Sequence, residues 1–86
     1  MLKFANIHGR RCIRISELIA FLARVSFRGD IQKARVWLDN TLGTGWKRDE
    51  EICLRWRKKL YLSARMAQQV LAWRLQELKK ANGGTA

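Results

Sequence analysis

Cys53-Leu54-Arg55-Trp56-Arg57-Lys58-Lys59-Leu60-Tyr61-Leu62-Ser63-Ala64-Arg65-Met66-Ala67 opens the stretch on which the fold turns. Between Lys47 and Ala81 there is neither Gly nor Pro. Cys53, Trp56, Leu60, Ala64, Ala67, Leu71, Leu75 and Leu78 step by 3, 4, 4, 3, 4, 4 and 3. On a helix that spacing sets all of them on one narrow stripe. It predicts one long helix over 47–81, with Asp49, Glu50 and Glu51 in a first turn where carboxylates offset exposed amides. Such a helix runs for roughly 50 Å at about 1.5 Å per residue. A compact body of this chain length is only about 30 Å across. Either the helix breaks near Leu62-Ser63, or it projects and a second chain covers it. Met66, Val70 and Trp73 widen the apolar arc beyond a single seam, which points to burial on two sides.

A homodimer through residues 60–78 is therefore the expectation, with a helical hairpin folded back on the preceding helices as its rival. Trp56, Leu60, Leu71, Trp73, Leu75 and Leu78 are the expected packing or dimer residues. Asn82-Gly83-Gly84 ends the helix, and 82–86 is expected as a disordered tail.

Upstream, residues 16–43 read as a helix-turn-helix-like pair. Ser16 is placed to cap a helix whose Leu18, Phe21, Leu22 and Val25 share a face. Phe27-Arg28-Gly29-Asp30 is a turn, with Gly29 suited to a left-handed conformation and Asp30 to capping the second helix. Ile31, Ala34, Leu38 and Leu42 line that helix, and Gly43-Thr44-Gly45 ends it. Residues 1–15 read as a small hairpin around His8-Gly9 or an extended arm. The expected fold class is mainly α: a single domain, 1–86, of two short helices plus a long C-terminal helix, with that hairpin or arm in front.

Eighteen Lys and Arg against seven Asp and Glu give a net charge of +11, while 48% of residues are hydrophobic. A disordered basic tail lacks that apolar content, so this is a folded basic module whose surplus charge calls for an anionic partner. No run approaches the roughly 20 apolar residues needed to cross a bilayer. Arg10, Arg11 and Arg14 interrupt any signal-peptide layout, and the cytoplasm is the expected compartment. Cys12, Cys53 and His8 are too few and too scattered for a four-ligand zinc site. They read as two reduced thiols and a turn residue.

Cations on several elements of a small fold can converge on one phosphate surface. On the long helix Lys47, Lys58 and Arg65 share nearly one meridian, with Arg55, Lys79 and Lys80 close beside it. Arg10, Arg11 and Arg14 come from the arm, and Lys33 and Arg35 from the second helix, where Gln32 also stands. Arg10, Arg11, Arg14, Lys33, Arg35, Arg55, Lys58 and Arg65 are the expected nucleic-acid contacts. The ordinary alternative is that these side chains only solvate helix faces.

Catalysis finds little support. Asp49, Glu50 and Glu51 form one acidic cluster that helix capping explains, His8 has no acidic neighbour in sequence, and no phosphate-binding glycine loop is present. No enzyme activity, cofactor or metal is expected.

The stretch Gly29 to Leu38, followed by Asp49 to Arg57, resembles the PerC-type regulators and the related small negative regulators of AraC-type activators. Those families carry a Gly, an Ala pair and a Trp on one helix, then an acidic turn and a second helix with paired arginines and a Cys. Gly29, Ala34, Trp37, Ile52, Arg55 and Arg57 fill those places here, over roughly residues 17–62. The resemblance implies a small transcriptional regulator from bacteria, their phages or other mobile elements. It would act through DNA or through another DNA-binding protein, and often self-associate.

Together these observations predict a nucleic-acid-binding regulator, with DNA preferred over RNA, and a homodimer. The competing expectation is a modulator that lays a basic, Trp-rich third helix into an acidic groove of a protein partner. A membrane-surface helix is the third class, disfavoured because Ala64 and Ala67 suit close helix contacts better than lipid.

Overall fold

The computed structural model describes residues 2–83. Two short strands, β1 (Ala5–Ile7) and β2 (Arg10–Arg14), lead directly into a helix, α1 (Ile15–Ser26), which is followed by α2 (Ile31–Leu42). A 3₁₀ turn at Trp46–Arg48 then precedes β3 (Cys53–Trp56), β4 (Lys59–Ser63) and α3 (Ala64–Gly83). The strands form one antiparallel sheet in the order β1-β2-β4-β3. Of the tail expected at 82–86, Asn82 and Gly83 close α3, and the remainder lies outside the described residues.

This is an α/β fold, and it corrects the mainly α expectation. The residues assigned to the first half of one long helix make a second hairpin instead. Strand β2 explains why: paired with β1 alone, it would leave its other edge of backbone N–H and C=O groups unmet. Strand β4 supplies them, setting Cys12, Ile13 and Arg14 opposite Ser63, Leu62 and Tyr61. The apolar steps at Cys53, Trp56 and Leu60 fit a helix or a strand pair equally well, so they did not discriminate. The expected break at Leu62-Ser63 coincides with the start of α3. There Ser63 Oγ accepts the Met66 amide at 3.2 Å, capping a 20-residue helix about 30 Å long.

The chain thus repeats one unit, hairpin then helix, around the α2 connection. The two units meet at the sheet centre, where Ile13 faces Leu62. Alternation along the strands sends Cys53, Leu62 and Ile13 to one face. They are buried there with Leu18 and Leu22 of α1, Ala34 and Leu38 of α2, Ala67 and Val70 of α3, and Trp46. Gly29, at φ 83, donates its amide to the Ala23 carbonyl at 2.7 Å, and Asp30 caps α2 by accepting the Lys33 amide at 3.0 Å. Helix α1 begins at Ile15 without a side-chain cap, so Ser16 lies inside it rather than before it.

Beyond the core, α3 is held chiefly through Arg74 and Glu77. Arg74 donates to Ser26 Oγ (3.0 Å), to the Ser26 carbonyl (2.9 Å) and to Glu77 Oε1 (3.1 Å). Its guanidinium lies 4.1 Å above the Phe27 ring and 5.5 Å from that of Trp37. Trp37 Nε1 in turn donates to Glu77 Oε1 at 2.8 Å. Further out, Trp73 (36% exposed) and Leu75 (55%) face solvent. Among the described residues, no helix is long and apolar enough to cross a membrane.

Candidate nucleic-acid interface

A groove of about 370 Å³ opens where the turn end of the β3–β4 hairpin lies beside α1 and α2. Ile15, Ile19, Leu60 and Trp46 give it an apolar floor. Arg14, Arg35, Lys47, Arg55, Lys58 and Lys59 surround that floor, and Asp39 is the one carboxylate among the lining residues. Asp39 is engaged already, since its Oδ1 accepts the Trp46 indole N–H at 3.1 Å.

Each cation reaches the groove for a local reason. Arg14 is the last residue of β2, just before the chain turns into α1. Arg35 stands on α2 beside the buried Ala34. Lys47 follows Trp46, whose burial pins the 3₁₀ turn against the core, and its ammonium lies 5.7 Å from that ring. Arg55 and Lys59 sit on paired strands, and Lys58 on the two-residue turn that joins them. None of the six makes a side-chain hydrogen bond or ion pair with the described residues, in which Arg74–Glu77 is the one ion pair. Six like charges around one concavity repel each other, and a bound polyanion would relieve that.

Of the eight residues expected to contact nucleic acid, Arg14, Arg35, Arg55 and Lys58 come together here. Arg10 is spent on the fold: its two terminal nitrogens donate to the carbonyls of Glu50 (2.9 Å) and Glu51 (2.8 Å). Arg11 lies 4.9 Å over the Phe4 ring, away from the groove. Lys33 lines a separate apolar hollow with Phe27, Val36 and Trp37. Arg65 is exposed in the first turn of α3. The expected meridian of Lys47, Lys58 and Arg65 dissolves because the three lie on a 3₁₀ turn, a hairpin turn and a helix.

Lys59 was missed, and Lys47 was placed on the wrong element. The signal for Lys59 was the run Arg57-Lys58-Lys59 between two apolar segments, which marks a turn once the segments are taken as strands. The acidic trio also changes role. Asp49, Glu50 and Glu51 form a turn before β3, in which Asp49 Oδ1 accepts the Glu51 amide at 3.0 Å.

Among the expected packing residues, Trp56 is half-buried and meets Tyr61 edge-on at 6.2 Å, while Leu60 and Leu71 pack against the core margin. Leu78 is half-buried. The thiols of Cys12 and Cys53 are both buried, which pushes each up from its ordinary value of 9.0. Neighbouring Arg10, and Arg55 with Lys47, offset this only in part. Both are held as neutral thiols and are poor nucleophiles.

No family model, curated protein or solved structure matches the chain. The residues that carry the PerC-type resemblance divide between the turn and α2 (Gly29, Ala34, Trp37) and the second hairpin with its approach (Ile52, Arg55, Arg57).

Proposed function

We propose that this chain is a small nucleic-acid-binding regulator of transcription that engages DNA through the groove rimmed by Arg14, Arg35, Lys47, Arg55, Lys58 and Lys59. The observation that carries this is the gathering of six cations, drawn from β2, α2, the 3₁₀ turn and the second hairpin, onto one concave surface where none makes a side-chain hydrogen bond or ion pair with the described residues. Phosphate contacts of this kind supply affinity with little dependence on sequence. A cytoplasmic setting accords with two thiols kept apart and neutral. Self-association through the outer part of α3, where Trp73 and Leu75 are exposed, belongs to the same proposal.

Binding to a random-sequence duplex, followed by fluorescence anisotropy over a salt series, tests it. Six neutralised phosphates give a slope of log affinity against log salt of about −5. Absence of binding at low salt would reject the proposal. It would favour the rival, a modulator that docks on an acidic protein, for which the exposed Trp73 is the supporting observation.

A further inference from the structure

The second hairpin outruns its neighbour in the sheet. Strand β2 ends at Arg14, opposite Tyr61. Past that rung, Arg55 pairs with Leu60 and Trp56 with Lys59, and the Arg57-Lys58 turn closes the ribbon with no third strand beside it. Residues 55–60 carry Arg55, Arg57, Lys58 and Lys59, all exposed, and no carboxylate. Two rungs and a turn extend on the order of 10 Å past the end of β2 at about 3.4 Å per residue, with one side of the ribbon walling the cationic groove. The major groove of B-DNA is about 8.5 Å deep, about 12 Å wide and admits a two-stranded ribbon, whereas the minor groove is only about 6 Å wide. The deep, narrow major groove of duplex RNA is closed to it.

The turn points the same way. Arg57 (φ 50) and Lys58 (φ 64) both hold the left-handed conformation. Tight two-residue hairpins need that conformation and normally obtain it from Asn-Gly or a similar pair, since side chains with a Cβ adopt it under strain. The first hairpin makes its turn with His8 (φ 53) and Gly9 (φ 78), placing glycine second. At the corresponding place the second hairpin carries lysine, although nothing in the fold makes use of its charge. The Arg57 guanidinium lies 4.3 Å above the Trp56 ring, which meets Tyr61 edge-on.

We infer that the Arg55–Leu60 ribbon is a base-reading element that enters the major groove of duplex DNA, with Arg57 and Lys58 at the base edges. This rests on the DNA-binding function proposed above, with Arg14, Arg35 and Lys47 holding flanking phosphates. An arginine so placed favours guanine, whose O6 and N7 accept a bidentate pair.

The test uses the full chain and a random-sequence duplex, unmodified or with every cytosine carrying a glucosylated hydroxymethyl group that fills the major groove. The wild-type protein should bind the modified duplex roughly tenfold or more weakly. The double variant Arg57→Asn, Lys58→Gly keeps the turn in residues that favour it. It should melt at a higher temperature, bind the unmodified duplex more weakly, and distinguish the two duplexes less. Equal wild-type affinity for both duplexes, or equal affinity for duplex RNA, would overturn the inference while leaving phosphate binding intact. Failure to bind the unmodified duplex would instead remove the DNA-binding function on which it rests.

Discussion

Ile13 and Leu62 face each other across the central strand pair, each the fourth residue after its own hairpin turn and each fully buried. They mark the point where two hairpin-helix units meet. A helical stripe through Cys53, Trp56 and Leu60 would instead leave Leu62 outside and bury Leu60. In the sheet Leu62 is 0% exposed and Leu60 only half-buried. Leu62→Ala should therefore destabilise the protein by about 3 kcal/mol, and Leu60→Ala by clearly less. Urea unfolding of both variants measures the difference, and a reversed order would contradict the strand register.

That contrast shows what the sequence makes legible. Helices α1 and α2, the turn at Gly29-Asp30 and the boundary at Ser63 all carry local signals: a 3.6-residue apolar period, a glycine and capping side chains. The second hairpin carries only the basic run Arg57-Lys58-Lys59 between two apolar segments. Its turn residues, Arg57 and Lys58, are good helix formers, and its pairing with β2 joins segments far apart in the chain. The groove was half legible for the same reason. Arg14 and Arg35 flank recognisable elements, whereas Lys59 enters only when the strand pair is in place.

Arg74 is the next point of leverage, because it fastens the outer half of α3 to the end of α1. Removing it leaves the Ser26 carbonyl and Glu77 without their charged donor and uncovers the faces of Phe27 and Trp37. Arg74→Ala should lower stability by about 2 kcal/mol and speed amide exchange through the C-terminal half of α3. Arg74→Lys should rescue less than half of the loss, since an ammonium cannot reproduce the guanidinium fork or its stacking. Unchanged exchange in the alanine variant would show that α3 is held by other contacts.

The thiols predict a pH dependence of defined sign. Both have folded-state pKa values raised above 9.0 by burial, so the folded state keeps protons that the unfolded state releases. Their contribution to stability is therefore complete below about pH 9 and is lost as pH rises through the folded values. Near pH 8 a thiol-specific disulfide reagent should modify Cys12 and Cys53 no faster than the protein opens. Rapid modification of either in native buffer would contradict its burial.

Arg10 and the groove cations can be separated by salt. Arg10 supports the Glu50–Glu51 turn through two carbonyl contacts, so Arg10→Met should reduce stability by about 1–2 kcal/mol. It should leave the slope of DNA affinity against salt unchanged. Arg35→Gln and Lys47→Gln each remove a groove cation that makes no ion pair with the described residues, and should make that slope shallower by about one unit with little effect on stability. Lys79 and Lys80, exposed near the far end of α3, serve as controls. If their replacement by Gln flattened the slope as much as loss of Arg35 and Lys47, phosphate would be bound by diffuse charge rather than by the groove.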